Sequence, residues 1–148
     1  MRTKAYHAII TLGLFLVLAA SAHAQSGLRM EVAVPFDFHA GATQLAAGTY
    51  TVTPLSQVAM LLRSADARTS VLILAPLTAH AQQAAGPARL VFRRYGEQYF
   101  LAQIWPRGDY GSALYTSDRE RRLARELELG KRGAAQPRKV EVAALVKR

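Results

Sequence analysis

The chain has 148 residues, with 19 Lys plus Arg against 10 Asp plus Glu and no cysteine, so it is small, basic and unable to form a disulfide. The missing thiol excludes a disulfide-stapled miniprotein, a thiolate metal site, a cysteine nucleophile and a lipid-modified cysteine. A chain of this length suits one compact domain.

Residues 1–24, MRTKAYHAIITLGLFLVLAASAHA, join a basic start at Arg2 and Lys4 to an apolar run over 8–20 and small residues at Ala22 and Ala24. That three-part layout predicts a cleaved secretory signal. The apolar run is shorter than the roughly 20 residues a membrane-crossing helix needs. Cleavage before Gln25 takes Arg2 and Lys4 with it and leaves 124 residues with a formal charge of +7. The expected location is the periplasm or the extracellular space, with no transmembrane segment after cleavage. Without cysteine, core packing alone must hold the exported fold, and a chain of this size buries about two thirds of its unfolded surface.

From Leu28 to Trp105 short β runs alternate with Gly, Pro and polar turns. Leu28, Met30, Val32 and Val34 alternate with Arg29, Glu31 and Ala33, the period of a strand with one buried face. Pro35 interrupts it, which predicts an edge position or a bend, and Phe36 and Phe38 resume the alternation around Asp37. Residues 40–48, AGATQLAAG, read as a connection in which Gly41 and Gly48 are free to take positive φ. Tyr50 and Val52 alternate with Thr49, Thr51 and Thr53, giving a strand with a threonine face. Runs over 58–64 and 70–75 flank the turn-like Asp66, Ala67, Arg68 and Thr69, predicting a hairpin. After the low-complexity loop 79–87, runs over 89–95 and 98–105 meet at Gly96 and Glu97, a two-residue turn suited to antiparallel strands. On this hairpin Phe92 and Phe100 are expected on the core face and the arginines on the wet face. Residues 25–116 are therefore predicted to be mainly β, an antiparallel sandwich or small open barrel of about six strands.

Residues 117–130 differ in kind. Ser117 and Glu120 form a capping box at the head of SDRERRLARELELG, and Gly130 supplies a stop. Asp118 with Arg122 and Arg122 with Glu126 are i,i+4 opposite-charge pairs. Leu123 and Leu127, with Ala124 beside them, make a narrow apolar stripe that predicts light docking of one C-terminal helix. Residues 131–148 are predicted to be a basic and largely mobile tail, within which VEVAALV (140–146) has the pattern of a short strand. Residues 25–116 carry net +2 and residues 117–148 net +5, so the basic character belongs to the end of the chain.

The inventory for chemistry is thin. The chain after the signal holds two histidines, His39 and His80, both in loop-like contexts and far apart, so each is expected at a surface or turn. No HExxH arrangement, GxSxG elbow, GxxxxGK[ST] loop or GxGxxG turn occurs. The triplet Arg107, Gly108, Asp109 is a short coincidence. Asp37, Glu97 and Asp109 are the carboxylates from which a small hydrolase or carbohydrate-active enzyme would have to be built. No catalytic residue, metal ligand or cofactor is predicted. Arg93, Arg94, Tyr95, Tyr99 and Trp105 interleave basic and aromatic side chains and form the candidate contact surface. An export signal argues against nucleic acid as its ligand and points to an envelope protein or an anionic polymer, whose attraction for the basic tail weakens with salt.

At VPFDF (34–38), LAAGTYTV (45–52), LVFRRYGEQYFLAQIW (90–105) and SDRERRLARE (117–126) the chain resembles a group of short exported bacterial β-rich proteins of unknown function. Those proteins read as VPFxF, LPAGxYxV, RYGxxYFLxxW and a charged helix in that order. The resemblance implies export and a β architecture, and brings no catalytic residues. Ala46 stands where the pattern carries proline, leaving the turn before Gly48 less rigid. The leading expectation is an exported, non-catalytic β-domain with a structural or ligand- or partner-binding role in the cell envelope; the alternative is the carboxylate-dependent enzyme.

Overall fold

The computed structural model describes residues 29–80, 86–107, 110–130 and 137–147. The predicted signal, most of the 79–87 loop, Asp109 and residues 131–136 lie outside the described residues. Among the described residues the fold is mainly β, with two sheets, one helix near the C-terminus and no closed barrel.

The first sheet has five strands in the order β12, β1, β4, β5, β6, all antiparallel. These are β1 (Arg29–Val34), β4 (Gly48–Pro54), β5 (Ala59–Ser64), β6 (Ser70–Leu74) and β12 (Leu145–Lys147). The second sheet has seven strands, with β11, β8, β9, β10 and β7 side by side, β2 joined to β9 and β3 joined to β2. They are β2 (Phe38–Ala40), β3 (Thr43–Leu45), β7 (Leu77–His80), β8 (Arg89–Tyr95), β9 (Gln98–Arg107), β10 (Tyr110–Ala113) and β11 (Arg138–Ala143). The six expected runs are present, and the additional strands are five pieces of three or four residues and the six-residue β11.

Alternation decides which side chains fill the space between the sheets. Met30, Val32, Val34, Tyr50, Val52, Met60, Leu62 and Ile73 come from the first sheet, and Leu90, Phe92, Leu101 and Ile104 from the second, all in one buried cluster. Arg29, Glu31 and the threonines of β4 take the other face. Pro35 marks a bend, not an edge: β1 pairs on both sides in the first sheet, and the chain leaves it at Pro35 to form β2 in the second. The missing N–H and fixed φ of proline stop the ladder where the chain must turn. Phe36, inside that bend, stacks on Tyr99 with ring centroids 3.8 Å apart.

Three expectations need correction. Within 40–48 only Gly41 has positive φ, at 62°, and Thr43–Leu45 forms β3 on β2; Gly48 opens β4 with an ordinary strand conformation. Phe92 and Phe100 lie on opposite faces. The turn at Gly96, whose φ is 60°, pairs Tyr95 with Gln98, and this register sets Phe92 opposite Leu101 and Arg93 opposite Phe100. The predicted tail carries regular structure over 138–147: β11 pairs with β8, and after the half-buried Ala144 the chain crosses to pair β12 with β1. Ala144 donates its N–H to the Ala88 carbonyl at 2.9 Å. Val140 and Val142 pack on the core, so their alternation in VEV supplies a buried face to a segment whose overall charge suggests solvent. This terminal strap covers one edge of each sheet.

The helix, α1 (Asp118–Gly130), is tied through Glu120 to Arg93 on the outer face of the second sheet. Val91, Phe100, Ala102 and Trp105 are buried although they lie outside the inter-sheet cluster. An irregularity in the β8–β9 pairing between Val91 and Phe92 leaves Ala102 unopposed and restores Ile104 to the core face. Ser117 caps the helix by accepting the Glu120 N–H at 3.2 Å. The reciprocal half of the expected capping box is absent, because the Glu120 carboxylate turns inward. The surface pair that forms is Asp118 with Arg121, one residue closer than the predicted Asp118 with Arg122.

Candidate functional site

The candidate contact residues are used mostly inside the molecule. Arg93, on the outer face of β8, grips the fully buried Glu120 through Nε at 2.5 Å and a second nitrogen at 3.1 Å. This bidentate pair clamps α1 to the sheet, since Leu123, Ala124 and Leu127 are only half-buried. Tyr95 is half-buried beside it, and burial together with the Glu120 charge pushes its phenol pKa up. Arg94 points to the opposite side, bonds the Glu97 carboxylate at 2.7 Å and lies over the Tyr99 ring at 5.4 Å. Trp105 is buried beneath Arg89, 4.6 Å from its ring centroid, and donates its indole N–H to Gln103. Arg93 and Tyr95 thus share one face, Arg94 and Tyr99 another, and Trp105 lies farther along β9.

The carboxylates weighed for catalysis have structural partners. Asp37 accepts the Ala47 N–H at 2.8 Å, tying together the open end of the β2–β3 hairpin. Glu97 pairs with Arg94, and Asp109 lies outside the described residues. His39 is not at a surface: it is buried on β2 and stacked on Phe100 with centroids 4.9 Å apart. Burial, and then the nearby Arg119 charge, lower its pKa, so the neutral ring is favoured. Among the described residues no group of three or more His, Asp or Glu side chains could hold a metal. Among the same residues no helix is long and apolar enough to cross a membrane.

A cavity of about 330 Å³ opens at one end of the sandwich, lined by Gln44, Gly48, Tyr50, Ser64, Asp66 and Thr69 among others. Three of its polar side chains, Asp66, Ser64 and Tyr50, already have partners. Asp66 accepts from the Ser64 hydroxyl at 2.5 Å and the Arg68 N–H at 3.1 Å, and the hydroxyl bond holds its carboxyl below the ordinary range. The Tyr50 hydroxyl donates to the Ala46 carbonyl at 2.6 Å.

The structure also shows a feature the sequence reading did not single out. β6 is the outer strand of the first sheet. Ser64 N–H to Thr69 and Ala75 N–H to Val58 bound its pairing with β5, so by antiparallel alternation Val71 and Ile73 bond inward. The backbone N–H and C=O groups of Ser70, Leu72 and Leu74 therefore point away from the sheet. Leu72 and Leu74 are 59% and 64% exposed, and Leu55 and Val58 are exposed beside them at 57% and 52%. Residues 69–79 carry no charge at all. Edge strands of soluble proteins are ordinarily protected by Lys, Pro, bulges or a covering segment. The strap provides such cover at β8 and β1, and β11 and β12 carry Arg138, Lys139 and Lys147. The signal in the sequence was that uncharged run with alternate leucines on a strand last in its meander.

No family model, curated protein or solved structure matches this chain.

Proposed function

We propose that this chain is an exported, non-catalytic β-sandwich that serves as a binding module in the cell envelope, holding a partner strand along β6. The observation that carries this reading is the outward-facing backbone of Ser70, Leu72 and Leu74 on an uncharged edge with two exposed leucines. Such an edge supplies main-chain hydrogen bonds for affinity and alternate side chains for selectivity, which is how strand addition recognises an extended segment. An apolar patch on one strand edge is a docking feature more than a folding one, because its burial adds nothing to the core. The signal-like residues 1–24 support export. Support for the carboxylate-enzyme alternative is weaker, since Asp37 and Glu97 are each engaged by their own structural partner.

Pull-down from the envelope fraction with wild type and with Leu72→Lys tests the reading. Partner recovery should fall at least about fivefold in the variant, because a lysine on the pairing strand is the ordinary device that blocks strand addition. Equal recovery of every partner overturns it.

A further inference from the structure

We infer that the segment docking on β6 is the same strand of a second copy, joined about a two-fold axis through Leu72 so that the first sheets of two molecules become continuous. The inference rests on the binding-module reading and adds the identity of the partner. Three features of β6 point to it.

Register comes first. The outward-pointing residues are Ser70, Leu72 and Leu74, spaced symmetrically about Leu72. In an antiparallel pair of identical strands Leu72 meets its own copy, and Ser70 meets Leu74 at either side. All three positions are then hydrogen-bonded pairs that exchange both N–H···O bonds, about six bonds in all. A centre between residues, or on Val71 or Ile73, would align outward groups with inward ones or leave one end unpaired.

Charge is the second. Identical strands carry identical charges, so a charged edge repels its own copy, and like charges opposite each other destabilise the pair. The span 69–79 is neutral, which removes that penalty for a second copy. The charged β11 and β12 edges do not offer this match.

Area is the third, and it sets the strength. Leu55, Val58, Leu72 and Leu74 are each more than half exposed. At about 100 Å² apiece, complete burial of all four on both copies sets a ceiling on the order of 800 Å² of apolar surface plus the backbone edge, below the roughly 1,200–2,000 Å² of a stable interface. The expected dimer is weak and depends on local concentration.

Sedimentation equilibrium over a concentration series tests this on the chain as purified from an exporting host. Wild type should move from monomer to dimer across that range. Leu72→Lys places two ammonium groups across the axis and should weaken the dimer at least about tenfold, and Leu72→Glu should do the same. An equimolar mixture of the two variants should dimerise again, because opposite charges now meet at the axis. Leu129→Lys, a similar change at a helix position 89% exposed, should leave the dimer intact. A circular dichroism melt matching wild type shows that each variant is folded, and Leu74→Lys serves in place of any that is not. Dimerisation unaffected by Leu72→Lys overturns the inference. A wild-type monomer throughout, with envelope capture still lost in Leu72→Lys, also overturns it but leaves the binding-module reading standing. A monomer with capture unchanged in the variant overturns both.

Discussion

Replacing Glu120 by Gln should detach helix α1 from the sheet while leaving the sandwich folded. Glu120 is 2% exposed and its partner Arg93 retains 28% side-chain exposure. Breaking a fully buried ion pair costs about 3–5 kcal/mol, because the remaining charge is stranded. Water reaches part of the Arg93 guanidinium, so about 2–3 kcal/mol is expected here. For a domain of this size each kcal/mol corresponds to about 3–5 °C, so the midpoint should fall by roughly 6–15 °C. Little else compensates, since the apolar stripe of α1 is only half-buried. Urea unfolding followed by Trp105 fluorescence gives the free energy, and amide exchange over 118–130 reports the helix locally. The exchange of α1 should rise well above that of β4 and β5. The double variant Arg93→Met with Glu120→Leu should recover to within about 1 kcal/mol of wild type, as apolar replacements of buried pairs commonly do. A loss below about 0.5 kcal/mol in Glu120→Gln, with α1 exchange unchanged, would refute the clamp.

Gly111→Ala should destabilise by about 1–3 kcal/mol in the same urea assay, because a Cβ there would lie 2.6 Å from the buried Trp105 ring and force it to shift. Truncation after Gly130 should lower stability by about 2 kcal/mol or more from loss of half-buried Val140 and Val142 alone, and light scattering should show aggregation as the β8 and β1 edges open. His39 should make stability fall with acid. Its native pKa lies below the ordinary 6.5, so the unfolded chain takes up its proton first; stability is complete above about pH 6.5 and declines below it until the native pKa is passed. His39→Phe should remove that component from a stability profile measured between pH 5 and pH 8.

The core of the sandwich was legible because alternation carries it: Met30, Val32 and Val34, then Tyr50 and Val52, each stand on the face their period assigns. The Gly96–Glu97 turn was legible from turn chemistry, and its register already held the answer for Phe100. Counting outward from Tyr95 opposite Gln98 places Arg93, not Phe92, against Phe100. What escaped was long-range. Glu120 reads locally as half of a capping box, and only its partner 27 residues away on β8 turns it inward. The strap escaped because net charge outweighed a two-valine alternation whose buried face exists only once β8 is in place. The β6 edge was visible as an uncharged run, yet its position as the last strand of a sheet is a property of topology. Of the contact residues, Arg93 holds Glu120 of α1 and Trp105 is buried beneath Arg89, so both have partners within the fold.

Residue-resolved amide exchange along β6, at low and at high protein concentration, tests docking on this edge most directly. Val71 and Ile73 should be protected at both concentrations by their bonds to β5. Ser70, Leu72 and Leu74 should exchange freely in dilute protein and become protected together as the concentration rises or as envelope partner is added. Exchange at Leu72 and Leu74 that stays fast under both conditions, or protection that appears elsewhere on the surface instead, would contradict it.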